Sequence, residues 1–115
     1  MIYTMQNQTT VGANLSVSNT LSGQLYERPP YNCFGTLFTN GSATGLFAQI
    51  NVNSVAVSDE VNMSVQNRVP VVPDDMLMSG WEAPQGGLIQ LKFRNSTAGS
   101  LTAFWKILLE VADQG

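Results

Sequence analysis

Residues 101–111, with the sequence LTAFWKILLEV, decide the fold class of this chain. Apolar side chains occupy every second position of this segment: Leu101, Ala103, Trp105, Ile107, Leu109 and Val111. A helix would spread these six positions around its axis, whereas a strand places all of them on one face. The segment therefore predicts a β-strand with one fully apolar face.

The same alternation recurs along the rest of the chain. Residues 11–17, 61–65 and 89–94 alternate apolar and polar side chains, and shorter runs that favour strands lie at 21–26, 33–38, 46–50, 52–57 and 76–81. Turn-forming residues separate the runs: Pro29–Pro30, Asn40–Gly41, Pro70, Pro73, Pro84 and Gly86–Gly87. About eight strands at this spacing predict an all-β fold, either an antiparallel β-sandwich of jelly-roll-like type or a small barrel, in a single domain over residues 1–115.

Charge is scarce in this sequence. Charged residues make up 11% of the chain and the net charge is −3, whereas about a quarter of the residues in soluble domains are charged. The few cations form no cluster, which argues against nucleic-acid binding. No apolar run reaches the length of a membrane span and no signal peptide is recognisable, so we expect synthesis in a host cytoplasm and no membrane partner. So little charge also predicts that copies or partners cover much of the surface.

The residues that most often carry catalysis are missing or isolated. The chain contains no histidine, and Cys33 is its lone cysteine. This excludes Ser–His–Asp and Cys–His nucleophile arrangements and histidine-based metal sites. Without a basic partner, Cys33 is expected to be a small buried side chain. The sequence thus predicts a protein that is not an enzyme and has no catalytic residue.

Acidic residues form the second group considered for chemistry, at Asp59–Glu60, Asp74–Asp75 and Glu82. Calcium takes about six to eight oxygen ligands, and none of these groups has the spacing of a known calcium loop. A glycosidase-like pair is a minor alternative, because two carboxylates would have to face each other across a sugar. We therefore predict no metal site and no cofactor, and interpret Asp74–Asp75 as turn residues.

Aromatic side chains suggest a place where a ligand or partner could bind. Tyr26 and Tyr31 border the loop with Pro29–Pro30, and Trp81 ends the run at 76–81. Exposed rings of this kind stack on sugars, so these three residues are the candidates for a ligand or partner loop. Trp105 is expected in the core instead, because it belongs to the apolar face of the last strand.

The opposite face of the last strand is unexpectedly apolar. Phe104, Lys106 and Leu108 share this face with Thr102 and Glu110. A free sandwich should present a polar surface here, so something is expected to cover Phe104 and Leu108. We predict an interface between subunits, with the stem of Lys106 lying on the apolar patch and its ammonium paired with Glu110. The rival explanation is that the strand is central and a loop of the same chain covers it.

In overall texture the sequence resembles small bacteriophage virion proteins, the capsid decoration, minor capsid and tail-associated subunits. The likeness lies in a short, cysteine-poor chain rich in Asn, Ser, Thr and Gly, and in the segment 69–75 followed by a hairpin over 88–111. The resemblance implies a homo-oligomer, a trimer or pentamer, that docks on a larger capsid or particle within the virion. The alternative is a β-sandwich module that binds carbohydrate or a receptor, for which a sugar would be the ligand.

Overall fold

Nine strands and no helix occur in residues 2–18 and 20–112, the part of the chain that the computed structural model describes. The strands are β1 (Ile2–Val11), β2 (Ser16–Val17), β3 (Cys33–Gly41), β4 (Leu46–Val52), β5 (Val55–Ala56), β6 (Val61–Asn62), β7 (Met76–Ala83), β8 (Ile89–Asn95) and β9 (Leu101–Val111). The prediction of an all-β fold is confirmed.

The strands form two antiparallel sheets. A four-stranded sheet has the order β1-β9-β3-β7, and a five-stranded sheet has the order β2-β8-β4-β5, with β6 paired to β4. The sheets do not close on each other, so the small barrel that the sequence left open is not formed. The arrangement is consistent with a β-sandwich, in which two sheets pack their apolar faces together.

The core lies between the two sheets, and β9 contributes its predicted apolar face to it. Trp105, Ile107 and Leu109 are completely buried, as are Leu91 and Phe93 of β8. The alternation of buried and partly exposed residues along β4, β8 and β9 follows the period of two that a strand imposes. The prediction that Trp105 is a core residue is confirmed.

Four of the predicted runs are wrong or incomplete. Residues 52–57 are interrupted by a turn at Asn53 and Ser54, so Val52 ends β4 and only Val55–Ala56 forms β5. Residues 11–17 do not form one strand, because the chain leaves β1 at Val11 and turns at Asn14, which has a positive φ of 54°. The side chain of Leu15 is consequently 59% exposed. Residues 21–26 form turns rather than a strand, and of 61–65 only Val61–Asn62 is a strand. Asn tolerates left-handed backbone geometry, which allows a turn where the alternation alone predicts a strand.

The first strand was not predicted from the sequence. β1 carries Asn7 and Thr9 at two of its odd positions, where an alternating strand would carry apolar residues. Its pairing with β9 is nevertheless continuous, from Ile2 opposite Glu110 to Val11 opposite Leu101. Tertiary pairing with a strongly apolar neighbour overrides the weak local signal here.

Candidate interaction surface

The outer face of the four-stranded sheet, on the side away from the core, carries the three predicted interface residues. Phe104, Lys106 and Leu108 are all half-buried and follow one another along β9. Because β9 lies between β1 and β3, each has a neighbour on both sides: Gln8 and Asn40 beside Phe104, Gln6 and Phe38 beside Lys106, Thr4 and Thr36 beside Leu108. The structure thus brings the predicted residues together on a central strand.

A segment of the same chain, residues 64–75, lies against the β3 side of this face. The amide of Gly41 donates to the carbonyl of Ser64 at 2.9 Å, and the amide of Thr39 donates to the carbonyl of Asp75 at 3.0 Å. Between these two anchors, the amide of Arg68 donates to Asn40 Oδ1 at 3.0 Å. Phe38 is only 3% exposed although it is on the outer face. Part of the face is therefore covered from within the chain.

Asp75 fixes this segment through a set of hydrogen bonds. Its carboxylate accepts from the Val71 amide at 2.8 Å, from Asn40 Nδ2 at 3.2 Å and from the guanidinium of Arg68 at 3.3 and 3.4 Å. Burial by itself raises the pKa of Asp75, but the hydrogen bonds from Val71, Arg68 and Asn40 outweigh it and lower that pKa below its ordinary value. The sequence analysis interpreted Asp74–Asp75 as turn residues and missed this link to Asn40, because 35 positions separate the two side chains.

The segment leaves a row of apolar side chains open to solvent. We call the outer apolar face the set Ile2, Phe34, Val69, Phe104 and Leu108. Ile2 and Phe34 flank Glu110 on either side of β9 and are 58% and 45% exposed. Val69, at 52% exposed, lines a groove of about 260 Å³ together with Phe104 and the neighbouring residues 6–8 of β1. The rival explanation of a covering loop therefore applies to the β3 side, while Phe104 and Leu108 stay partly exposed.

Lys106 lies at the centre of the outer apolar face without an acidic partner in the described part of the chain. The ion pairs there are Arg68 with Asp75 and Arg94 with Glu60. The predicted pairing of Lys106 with Glu110 is not present. The two residues are four positions apart on one strand, on the order of 13 Å along it, which is too far for an ion pair without bending both side chains.

The three aromatic candidates for a ligand loop have different environments. Trp81 is 7% exposed and belongs to the core cluster, where its ring lies over Gly35. Tyr26 is half-buried and packs on Tyr3 with the ring centroids 4.5 Å apart. Tyr31 is 53% exposed. The structure therefore does not bring them together as one exposed platform, and Tyr31 is the one of the three that offers an open ring.

A second concavity lies at the other end of the four-stranded sheet. It has a volume of about 340 Å³ and is lined by residues 32–34, 82–84 and Ala112. Cys33 is buried in its wall and donates its thiol to the Tyr31 carbonyl at 3.3 Å. Burial raises the pKa of the Cys33 thiol, so the thiolate needed for nucleophilic chemistry is disfavoured. Glu82 and the Asn32 side chain are the polar groups that this concavity offers.

Within residues 2–18 and 20–112, no three His, Cys, Asp or Glu side chains are grouped closely enough to hold a metal ion. Over the same residues, no helix has the length and apolarity that crossing a membrane requires. Comparisons with family models, with curated proteins and with solved structures found no significant match to this chain. The surface of the chain therefore carries the indications of its function.

Proposed function

We propose that this protein is a non-enzymatic structural subunit that associates with copies of itself and with a larger particle. The particle we favour is a phage virion, in which the chain would be a capsid decoration or minor capsid protein. The observation that carries the proposal is the outer apolar face, where Phe104 and Leu108 of a central strand stay partly exposed beside Ile2, Phe34 and Val69. Monomeric proteins seldom leave such a row uncovered.

The strand order supports a jelly-roll form of the sandwich, which we include in the proposal. β1, β3, β7 and β9 lie in one sheet while β2, β4, β5, β6 and β8 lie in the other, so the chain crosses from sheet to sheet at every connection except β4–β5 and β5–β6. Jelly rolls occur in viral capsid proteins and also in lectins. A shared fold does not imply a shared function, so the proposal of self-association rests on the outer apolar face and not on the jelly-roll form.

Covering the outer apolar face gives association a driving force. Complete burial of a large apolar side chain is worth about 1.5–3 kcal/mol relative to full exposure. Phe104 and Leu108 are already half-buried, so each would contribute only part of that amount. Lys106 between them can keep its ammonium at the rim while its methylene stem packs against the partner. Association of this kind requires no charge on the partner surface.

The test compares two phenylalanines on the outer faces of the two sheets. Phe104 and Phe47 are both half-buried, and they lie on β9 and β4 respectively. We expect Phe104→Ser combined with Leu108→Ser to lower the oligomer mass measured by light scattering, with an unchanged circular dichroism spectrum. Phe47→Ser should leave the oligomer intact.

Two results would contradict the proposal. A wild-type chain that stays at 12.4 kDa at high concentration and does not bind a phage capsid has neither of the proposed associations. Unfolding of the Phe104→Ser/Leu108→Ser monomer would assign these side chains to the stability of the subunit instead of its assembly. The same mass measurement gives the number of copies in the oligomer, for which the resemblance to virion proteins implies three or five.

The second candidate function is binding of a carbohydrate or receptor. The 340 Å³ concavity is the observation that favours it, because Asn32 and Glu82 line it beside Phe34, and the exposed Tyr31 precedes Asn32. Planar rings with neighbouring amide and carboxylate groups suit sugar hydroxyls and sugar faces. Glycan-array binding that disappears in Tyr31→Ala and Glu82→Gln, but persists in Phe104→Ser/Leu108→Ser, would favour this function over assembly.

A further inference from the structure

The two edges of the four-stranded sheet are built differently. β1 forms one edge and β7 forms the other. β7 pairs with β3 through two irregularities of register, contains Gly80 at a φ of 76° and carries the charged Glu82. Bulges and charges of this kind are the usual devices that prevent an edge strand from pairing with another chain.

β1 has none of these devices. Its ten residues, IYTMQNQTTV, include no charge and no proline. Its pairing with β9 runs from end to end without a shift of register. Six of its ten side chains are more than a third exposed, including the consecutive residues 6–8. The strand is therefore long, continuously paired with β9 and open along its other side.

Two hydrogen bonds indicate which backbone groups face this open side. The Thr39 amide donates to Asp75, away from β9, so Thr39 and Trp105 form a non-hydrogen-bonded pair. The backbone N–H and C=O of Trp105 therefore point to the other neighbour of β9, toward Asn7 of β1. The Gln8 amide indicates the same orientation, because it donates to the side-chain oxygen of Asn7 instead of to β9. The even-numbered residues of β1 therefore present their N–H and C=O groups at the open edge: Ile2, Thr4, Gln6, Gln8 and Thr10.

We propose that β1 pairs antiparallel with β1 of a second copy of this chain, across a two-fold axis at Gln6. This register places Gln6 opposite Gln6 of the second copy, Thr4 opposite Gln8 and Ile2 opposite Thr10. All five outward residues then gain a backbone partner, and the two four-stranded sheets become one sheet of eight strands. The proposal rests on the proposed self-association and names one partner and one geometry for it.

A second copy is the occupant that the sequence of β1 favours. In a two-fold contact the residue on the axis meets its own copy, so a charged residue there would repel itself. Gln6 is uncharged, and its side-chain amide can both donate to and accept from the same amide in the second copy. The 260 Å³ groove beside Gln6 and Gln8 leaves room for the side chains of the incoming strand on the outer face.

The geometry also bears on the outer apolar face. A two-fold axis perpendicular to a sheet keeps the same face of both copies on the same side. The rows formed by Ile2, Phe34, Val69, Phe104 and Leu108 in the two copies would therefore lie side by side. A capsid or particle would then meet two apolar sets on the same side of the dimer, with the polar outer residues Thr4, Gln6 and Gln8 of both copies between them.

The experiment is disulfide trapping in the full chain, with Cys33→Ala as the background. Residues that share a hydrogen-bonded antiparallel pair have Cα atoms about 5.5 Å apart, within the span of a disulfide. Gln6→Cys should therefore cross-link to itself under mild oxidation and double the mass of 12.4 kDa. Thr10→Cys should not, because the two copies of residue 10 would lie on the order of 25 Å apart. Thr10→Cys mixed with Ile2→Cys should give the mixed dimer.

A charge variant tests the same contact without a cysteine. Gln6→Lys places two ammonium groups at the axis and should return the pair to monomers by light scattering. Ser79→Lys is the matched control, since Ser79 is an exposed residue of β7 at the other edge of the sheet. It should leave the pair intact, and both variants should keep the circular dichroism spectrum of the parent.

The outcomes separate this inference from the proposed function. Edge pairing is overturned if Gln6→Cys does not cross-link, or if it cross-links no more than Thr10→Cys does. If the wild type still associates and Phe104→Ser/Leu108→Ser disperses it, the proposed function stands without this contact. Specific cross-linking at Gln6 that survives Phe104→Ser/Leu108→Ser establishes edge pairing independently of the outer apolar face.

Discussion

The outer faces of the two sheets differ in how their half-buried phenylalanine side chains are covered. On the five-stranded sheet, the guanidinium of Arg94 lies 4.4 Å from the centroid of the Phe47 ring and pairs with Glu60 at 2.9 Å. On the four-stranded sheet, Phe104 faces the groove beside Val69, and Lys106 has no acidic partner in the described residues. A charged side chain with its own ion-pair partner thus covers the aromatic ring of the first face, whereas residues 64–75 cover only the β3 side of the second face and leave it partly open.

The difference shows that the alternation of apolar and polar residues in a strand does not decide whether its outer face is covered. β8 and β9 alternate equally well, and both bury their inner residues completely except at the two ends of β9, where Leu101 and Val111 are partly buried. What differs is the placement of the charged residues: Arg94 lies over the Phe47 ring and pairs with Glu60, whereas Arg68 and Asp75 pair at the β3 side and leave Phe104 partly exposed. Substitutions on the two faces should therefore differ in their effects on stability.

Asp75→Ala should have the largest effect, because it releases the segment that covers the four-stranded sheet. The substitution leaves Asn40 buried without its acceptor and removes the acceptors of the Val71 amide and Arg68. We expect a loss of about 3 kcal/mol in the free energy of unfolding, measured by urea denaturation. The neighbouring Asp74→Ala is the control, and an equal loss there would contradict the assigned role of Asp75.

Gly35→Ala should have the next largest effect, on the inner side of the same sheet. A Cβ atom at this position would lie 2.3 Å from the ring of Trp81, so the indole or β3 must move. We expect a loss of about 2 kcal/mol in the free energy of unfolding. Gly99→Ala is the control, since a Cβ there meets no atom within 4 Å. Equal melting temperatures for the two variants would show that Trp81 adapts freely.

Acid should weaken the face that Asp75 holds. Because the folded state lowers the pKa of Asp75 below its ordinary value of 3.8, its stabilisation is complete well above that value and is lost as the pH falls through the lower, folded pKa. Below pH of about 4, wild type should lose stability while Asp75→Asn shows a shallower slope. The loss should be smaller than in Asp75→Ala, because a protonated carboxyl keeps part of its hydrogen bonding. Parallel slopes for the two proteins would contradict the linkage.

Glu60→Gln should have the smallest effect, on the five-stranded sheet. The side chains of Arg94 and Glu60 are 38% and 30% exposed, and exposed ion pairs contribute about 0.2–1 kcal/mol. We expect a loss of about 0.5 kcal/mol that disappears at high salt, measured by thermal melts at two salt concentrations. A loss as large as that of Asp75→Ala would remove the contrast between the two faces.

The strongly patterned strands were the part of the fold that could be predicted from the sequence. β3, β4, β7, β8 and β9 lie where apolar alternation or apolar runs placed them, and the inner face of β9 is the one its spacing predicted. β1 was missed because polar side chains interrupt its inner face, and residues 11–17 were misread because a turn at Asn14 also fits an alternating sequence. The grouping of Phe104, Lys106 and Leu108 on one face was predictable from spacing, but their role in an interface stays a prediction.

By itself the sequence determined the all-β class, the side of β9 that enters the core and the absence of histidine chemistry, because these depend on spacing and composition alone. Only the tertiary structure decided that Asp75 would hold Asn40 across 35 positions and that Trp81 would pack over Gly35. It also decided that β1 would form an open edge and β9 a central strand. These features depend on which strands become neighbours. Strand pairing joins residues that are far apart in the chain, so the alternation within one short segment does not determine it.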